Sequence, residues 1–179
     1  MPAVMPETVK SDGNKLVIFM KTAPAAATGI PTLSEINDSL FASLFLYSPF
    51  DFTPNQNTGE APKKLGSTVS ETEFGNINYP AVEAQYSYVP QKLGTPGYAA
   101  NAVYELLEPG TILTAVVLDG YDGTVDEIAA GDVADVFLIK AGVRKKGRTG
   151  DGEYDRVSAK QSLLVVGGEP IVEDHKIAA

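Results

Sequence analysis

Catalysis needs a nucleophile, a proton shuttle or a set of metal ligands, and this chain is poor in all three. It has no cysteine and one histidine, which removes disulfides, thiolate metal sites and any Cys-His pair. His175 stands near the carboxyl end in "IVEDHKIAA". A Ser-His-Asp arrangement needs a base held rigid by packed structure, so a frayed terminal histidine is the expectation. No G-x-S-x-G, Walker A or H-E-x-x-H pattern occurs. Asp119, Asp122 and Asp126 could offer oxygens to calcium, but "DGYDG" and "AGDVAD" lack the spacing of a calcium loop. Asp-Gly turns account for them more simply. Asn37-Asp38-Ser39 matches the glycosylation acceptor pattern, and carboxylate pairs of the glycosidase kind meet in space rather than in sequence. No enzyme, cofactor or metal site is expected; the informative residues are those that could make surfaces.

Charge is the first of these. The chain holds 14 Lys and Arg against 23 Asp and Glu, a net charge of -9, which argues against duplex DNA binding through a basic face. The charges are also segregated. Residues 119–135 hold Asp119, Asp122, Asp126, Glu127, Asp132 and Asp135 with no basic residue, and residues 137–148 hold Lys140, Arg144, Lys145, Lys146 and Arg148 with no acidic one. Solvated loop faces account for any single residue. The blocks as wholes suit a head-to-tail contact between identical subunits, with Asp122 and Asp126 on an acidic rim and Lys145 and Lys146 on a basic one. A hairpin would bring the two blocks side by side. A second candidate contact is "SPFDFTPNQNTGEAPKKLGS", residues 48–67, a polar loop of roughly twenty residues. A loop that long inside a compact domain usually either reaches a partner or is disordered; Phe50 and Phe52 favour the partner, as its anchors.

The elements that position these residues read as mostly strand. With 179 residues and 44% hydrophobic content, the chain suits one well-cored domain. Residues 16–20, LVIFM, form a short buried strand. Pro31, Thr32 and Glu35 write a capping box, predicting a helix of about two turns that ends near Ser39. The apolar run 40–47 then reads as one buried strand. In residues 82–88 the alternation is clean, with Val82, Ala84, Tyr86 and Tyr88 inward and Glu83, Gln85 and Ser87 outward. Thr95-Pro96 predicts a second helix start, with Ala99, Ala102, Val103 and Leu106 as its apolar stripe and Pro109-Gly110 as its stop. Strands follow at 112–118, 133–140 extending toward 143, and 157–166, all apolar on both faces near their middles. Too few helices exist to cover both sides of a parallel sheet, so a second sheet layer or a neighbouring subunit must cover the other face. The amino terminus, about 1–14, and the carboxyl terminus, about 167–179, read as arms. "MPAVMPETVK" has no charged region followed by an apolar one, and no apolar run approaches a membrane span. A cytoplasmically made protein is the expectation.

The order of these parts resembles the major tail tube proteins of long-tailed phages, particularly those of actinobacterial hosts. The resemblance rests on the "PTLSEIN" helix leading into a strand, the long polar loop, the Tyr-bearing strand, the "AxxxxYELLEPGT" helix with its stop, and the two-faced strands after it. It spans about residues 30–166. It implies a mainly β subunit, an antiparallel β-sandwich or split barrel with one or two short flanking α-helices. It also implies six copies in a ring whose strands join into one inner barrel, rings stacking into a tube, and loops and arms bridging the rings. The implied partners are further copies of itself, a tape-measure protein, and tail terminator and tail-tip proteins. DNA would pass through the lumen without sequence-specific binding, and net negative charge suits that passage. The location would be the virion tail. Glu83 and Gln85 are assigned to the lumen. Two alternatives remain at this point: a monomeric carbohydrate-binding or adhesin-type β-sandwich using the loop aromatics with Tyr86 and Tyr88, and the tube protein of a contractile injection or type VI secretion machine.

Overall fold

The structure, a computed structural model, describes residues 10, 12–47, 49–66, 68–95 and 98–178. Most of the predicted amino-terminal arm, and Pro96 of the predicted helix start, lie outside these residues. In chain order the elements are β1 (Lys15–Met20), α1 (Leu33–Asn37), β2 (Leu40–Phe41), β3 (Leu46–Tyr47), β4 (Asn55–Glu60), β5 (Thr72–Asn78), β6 (Val82–Ser87), α2 (Ala102–Leu106), β7 (Ile112–Asp119), β8 (Val133–Arg148), β9 (Val157–Val165) and β10 (Val172–Lys176). The mainly β fold with short helices is what forms.

The main sheet is antiparallel and runs β2-β1-β7-β8-β9-β6-β3, with β10 also on β8. Its edge strands β2 and β3 are only four residues apart, joined by Ala42 and the 3-10 turn Ser43–Phe45. That connection reaches at most about 18 Å. Seven strands laid flat would separate their edges by about 29 Å. The sheet must therefore curl until its edges approach each other, which makes it a split barrel rather than two stacked sheets. Residues 40–47 are the joint, and the single buried strand expected there is broken in two. Ala42 explains the break: its N–H donates to the Val17 carbonyl at 2.8 Å while the Val17 N–H donates to Ser43 Oγ at 2.7 Å. The chain turns away there instead of continuing along β1.

The two-faced strands have two cores. On the concave face, Phe19, Val117, Phe137, Ile139, Tyr86 and Leu163 pack with Val103 of α2 and with Leu107, which follows it. On the other face, Ile18, Val116, Leu118 and Val136 are covered by Ile36 of α1, Ile128 and Ile177. Here the chain covers its own second face. The capping box that starts α1 is present, with the Glu35 N–H donating to Thr32 Oγ1 and the Thr32 N–H to the Glu35 carboxylate at 2.8 Å. The amides of Thr32 and Ala25 hold that carboxyl below its ordinary pKa. β9 differs from expectation, because its second face stays open: Ser162 and Leu164 are exposed.

The second helix is shorter than predicted. Among the described residues after Thr95, helical backbone begins only at Ala99, where a 3-10 turn, Ala99–Asn101, leads into the five residues of α2. The buried positions are Asn101, Val103, Tyr104 and Leu107, one step round from the predicted stripe. The reason is polar as well as apolar. Asn101 accepts from the Val89 N–H at 2.8 Å and donates to the Val89 carbonyl at 3.0 Å, while Tyr104 stacks on Tyr88 with ring centres 4.5 Å apart. The predicted carboxyl-terminal arm likewise contains β10, whose residue His175 pairs with Ala134 of β8. His175 is thus half-buried in a strand and not frayed.

Candidate subunit interfaces

Three surfaces remain after the fold is closed. The first is the β4-β5 hairpin, an antiparallel pair separate from the main sheet. The segment 48–67 is therefore not one loop: Asn55–Glu60 is a strand whose partner lies beyond it. "NQNTGE" and "TEFGNIN" have almost no apolar residues and carried no strand signal. Every residue of both strands is exposed, and a free two-stranded hairpin is marginal in water. Phe74 and Ile77 stand out from it, with Leu65 near its tip. Phe50 and Phe52 do not. Phe50 is buried against Phe19, and Phe52 stacks on Phe137 at 4.5 Å. They root the hairpin in the core, so its exposed apolar residues are others than the two expected from sequence.

The second surface is the acidic end of the sheet, where β7 finishes and β8 begins. Lys15 sits between Asp51 and Asp119, 2.9 Å from the Asp119 carboxylate. Burial pushes its pKa down, but the hydrogen bonds and charges of the two carboxylates outweigh burial and raise it. Beside this group opens a cleft of about 710 Å³, floored by Val17, Leu46, Tyr47 and Phe50. Asp122 is exposed at the same end; its Oδ1 accepts from the N–H and hydroxyl of Thr124, which lowers its pKa. Asp126 is also exposed. Burial raises the pKa of Asp135, and Asp174, Glu173 and Asp119 add to it. Among the described residues no group of three or more His, Asp or Glu is placed to hold a metal.

The third surface is the basic end together with the open sheet face. Lys145 pairs with Lys160, and Lys160 with Gln85, across β8, β9 and β6. Directly opposed residues share a face, so Glu83, Gln85, Lys160 and Lys145 look out together. Glu83 pairs with Lys160 at 3.4 Å. Lys146 points to the other side, with its ammonium 5.2 Å from the Tyr88 ring centre. Arg144 beside it is not free either: it donates to the carbonyls of Tyr104 and Leu107 and lies over the Tyr104 ring.

The acidic and basic blocks do not lie side by side. They occupy opposite ends of β8, whose sixteen residues run on past the β7 pairing. Asp135 and Lys145 are about 33 Å apart along the strand.

An unpacked hairpin, an open sheet face and separated acidic and basic blocks are surfaces of the kind that self-assembly uses. The chain belongs to the phage tail tube protein family, whose model matches residues 2–167. No curated protein matches the sequence. It is therefore a structural component of the virion tail. No helix among the described residues is long and apolar enough to cross a membrane.

Proposed function

We propose that six copies close into a ring, that rings stack head to tail into the tail tube, and that the tube is the conduit for genome delivery into the host. The tube would grow on a tape-measure protein and end on terminator and tip proteins, after synthesis in the host cytoplasm. The observation that carries this reading is the charge separation along β8. The acidic residues 119–135 and the basic residues 140–148 lie too far apart to satisfy each other within the chain, and a stack of identical rings pairs them at every junction. Asp122 and Asp126 then face Lys145 across the junction, with Lys146 behind it. Phe50 and Phe52 act from inside, by anchoring the hairpin that bridges subunits. Glu83 and Gln85 are assigned to the channel wall.

Negative-stain electron microscopy of the purified chain tests this. Rings or tubes with a central hole of a few nanometres are expected. A chain that stays monomeric up to high concentration overturns the proposal.

A further inference from the structure

The hairpin tip and the cleft beside Lys15 are complementary in both shape and charge. The tip reads Ala61-Pro62-Lys63-Lys64-Leu65, two lysines followed by an apolar side chain that is fully exposed. The cleft has an apolar floor, with Leu44 at its edge, and a rim on which Asp12, Asp51 and Asp119 outnumber Lys10 and Lys15. Lys15 engages only part of its two carboxylate partners, which remain 57% and 67% exposed. An ionised carboxylate accepts from several donors at once. We propose that this cleft receives the hairpin tip of a second copy of the chain: Leu65 on the floor, Lys63 and Lys64 on the Asp51 and Asp119 carboxylates. The inference rests on the self-assembly proposed above and names the socket for it.

A second copy is the occupant because the chain's own tip is not. Leu65 is fully exposed, so it is not seated in its own cleft. The hairpin leaves the body at Asn55, four residues after Asp51 of the cleft wall, and its six-residue strand carries the tip about 20 Å from that root. Plug and socket thus sit at the two ends of one projecting arm. Such a contact is heterologous: each subunit gives a plug to one neighbour and a socket to another, and repetition builds rings or stacks rather than closed dimers.

The absence of cysteine allows a direct test. Leu65→Cys and Leu44→Cys chains, one lengthened by a tag, are mixed, assembled and oxidised, and covalent heterodimer is read on a denaturing gel. Leu164→Cys, on the open sheet face away from the cleft, replaces Leu44→Cys as control, and all three leucines are exposed enough for the fold to tolerate the change. Heterodimer well above the control is expected. Adding Lys63→Glu and Lys64→Glu should lower it about tenfold, as two exposed charge pairs imply. Tubes that form without heterodimer, or with as much in the control, overturn the socket and leave the tube reading standing. An intrachain link between Ala3→Cys and Leu44→Cys in its place would assign the cleft to the amino-terminal segment and also overturn it. Heterodimer in a chain that never forms rings or tubes supports the socket and overturns the tube.

Discussion

The side chain of Asn37 and the backbone of Ile128 are clasped in both directions across 91 residues of sequence. The Asn37 amide donates to the Ile128 carbonyl at 3.1 Å, and its oxygen accepts from the Ile128 N–H at 3.0 Å. The clasp fixes α1 to the segment that covers the second face of the sheet. Asn37→Ala strands both backbone groups and should cost about 2 to 3 kcal/mol in urea unfolding. Asn37→Asp keeps the acceptor but sets a carboxylate oxygen against the Ile128 carbonyl, and should cost at least as much at neutral pH. A loss below about 0.5 kcal/mol for the alanine variant would show that water replaces the clasp.

Gln161 does the corresponding work for α2. It is fully buried, accepts from the Tyr86 hydroxyl at 2.7 Å, and donates to the carbonyls of Leu107 at 3.1 Å and Gly142 at 2.6 Å. Gln161→Leu is close in volume but leaves these groups short of partners, and should cost about 3 kcal/mol. Because one bond is shared, Tyr86→Phe should cost less in the Gln161→Leu background than alone. Strict additivity of the two in a thermal or urea unfolding cycle would contradict this.

These two residues also mark what the sequence could and could not tell. The capping box and the residues 82–88 were legible because each is a local rule, a cap spacing and a period of two. β8 was legible in its apolar first half only. Past Ala141 its residues become Arg144, Lys145 and Lys146, whose strand pairing comes from β9 rather than from burial. β4 and β5 were invisible because neither face is buried. The split of residues 40–47 is set by Val17, and the path of α2 by Val89 and Tyr88, contacts that no local pattern encodes. Phe50 and Phe52 drew attention as aromatics in a polar stretch, the usual mark of a binding loop. They prove to be its root, since a projecting hairpin needs an anchor as well as a tip.

Acidity should strengthen the attachment of β10. The Asp135 carboxylate accepts from the Asp174 N–H at 2.7 Å, yet burial first, then the neighbouring Asp174, Glu173 and Asp119 charges, raise its pKa above the ordinary 3.8. A raised acid holds its proton more tightly folded than unfolded. Its contribution to stability is therefore greatest below that ordinary value, falls as the pH rises through the raised one, and stays lower above it. Asp135→Asn keeps an acceptor and removes the charge. It should melt above the parent chain at neutral pH, with the difference vanishing toward low pH; a variant equal to the parent at all pH values would refute the mechanism.

Lys145 is the cleaner probe of ring stacking, because Lys146 also interacts with Tyr88 and Tyr104. Lys145→Glu should not lower the unfolding midpoint of the subunit, since it replaces the like-charge pair with Lys160 by an attractive one, while shortening tubes in electron micrographs. Lys146→Glu should shorten them and also lower the midpoint, because the cation-ring contact with Tyr88 and Tyr104 is lost. Tube length that ignores both substitutions, and does not change with added salt, would remove charge from the stacking contact.

The assignment of Glu83 and Gln85 to the channel can be separated from the rest by reagent size. Their face also presents Lys145 and Lys160, and Glu83 is paired with Lys160, so this patch alone is not acidic enough to repel DNA. A channel lined by it would depend on the acidic end of each subunit for most of its repulsion. With no native cysteine, Glu83→Cys gives one reactive site per chain. Unassembled protein should react equally with a small maleimide and with one carried on a globular protein. In tubes the small reagent should still react, while the large one should reach only subunits near the ends, so labelling falls as tubes lengthen. Full labelling by the large reagent along intact tubes would place this face on the outer wall. The channel would then be lined by another surface of the subunit, and Lys145 would be free to contact other tail proteins.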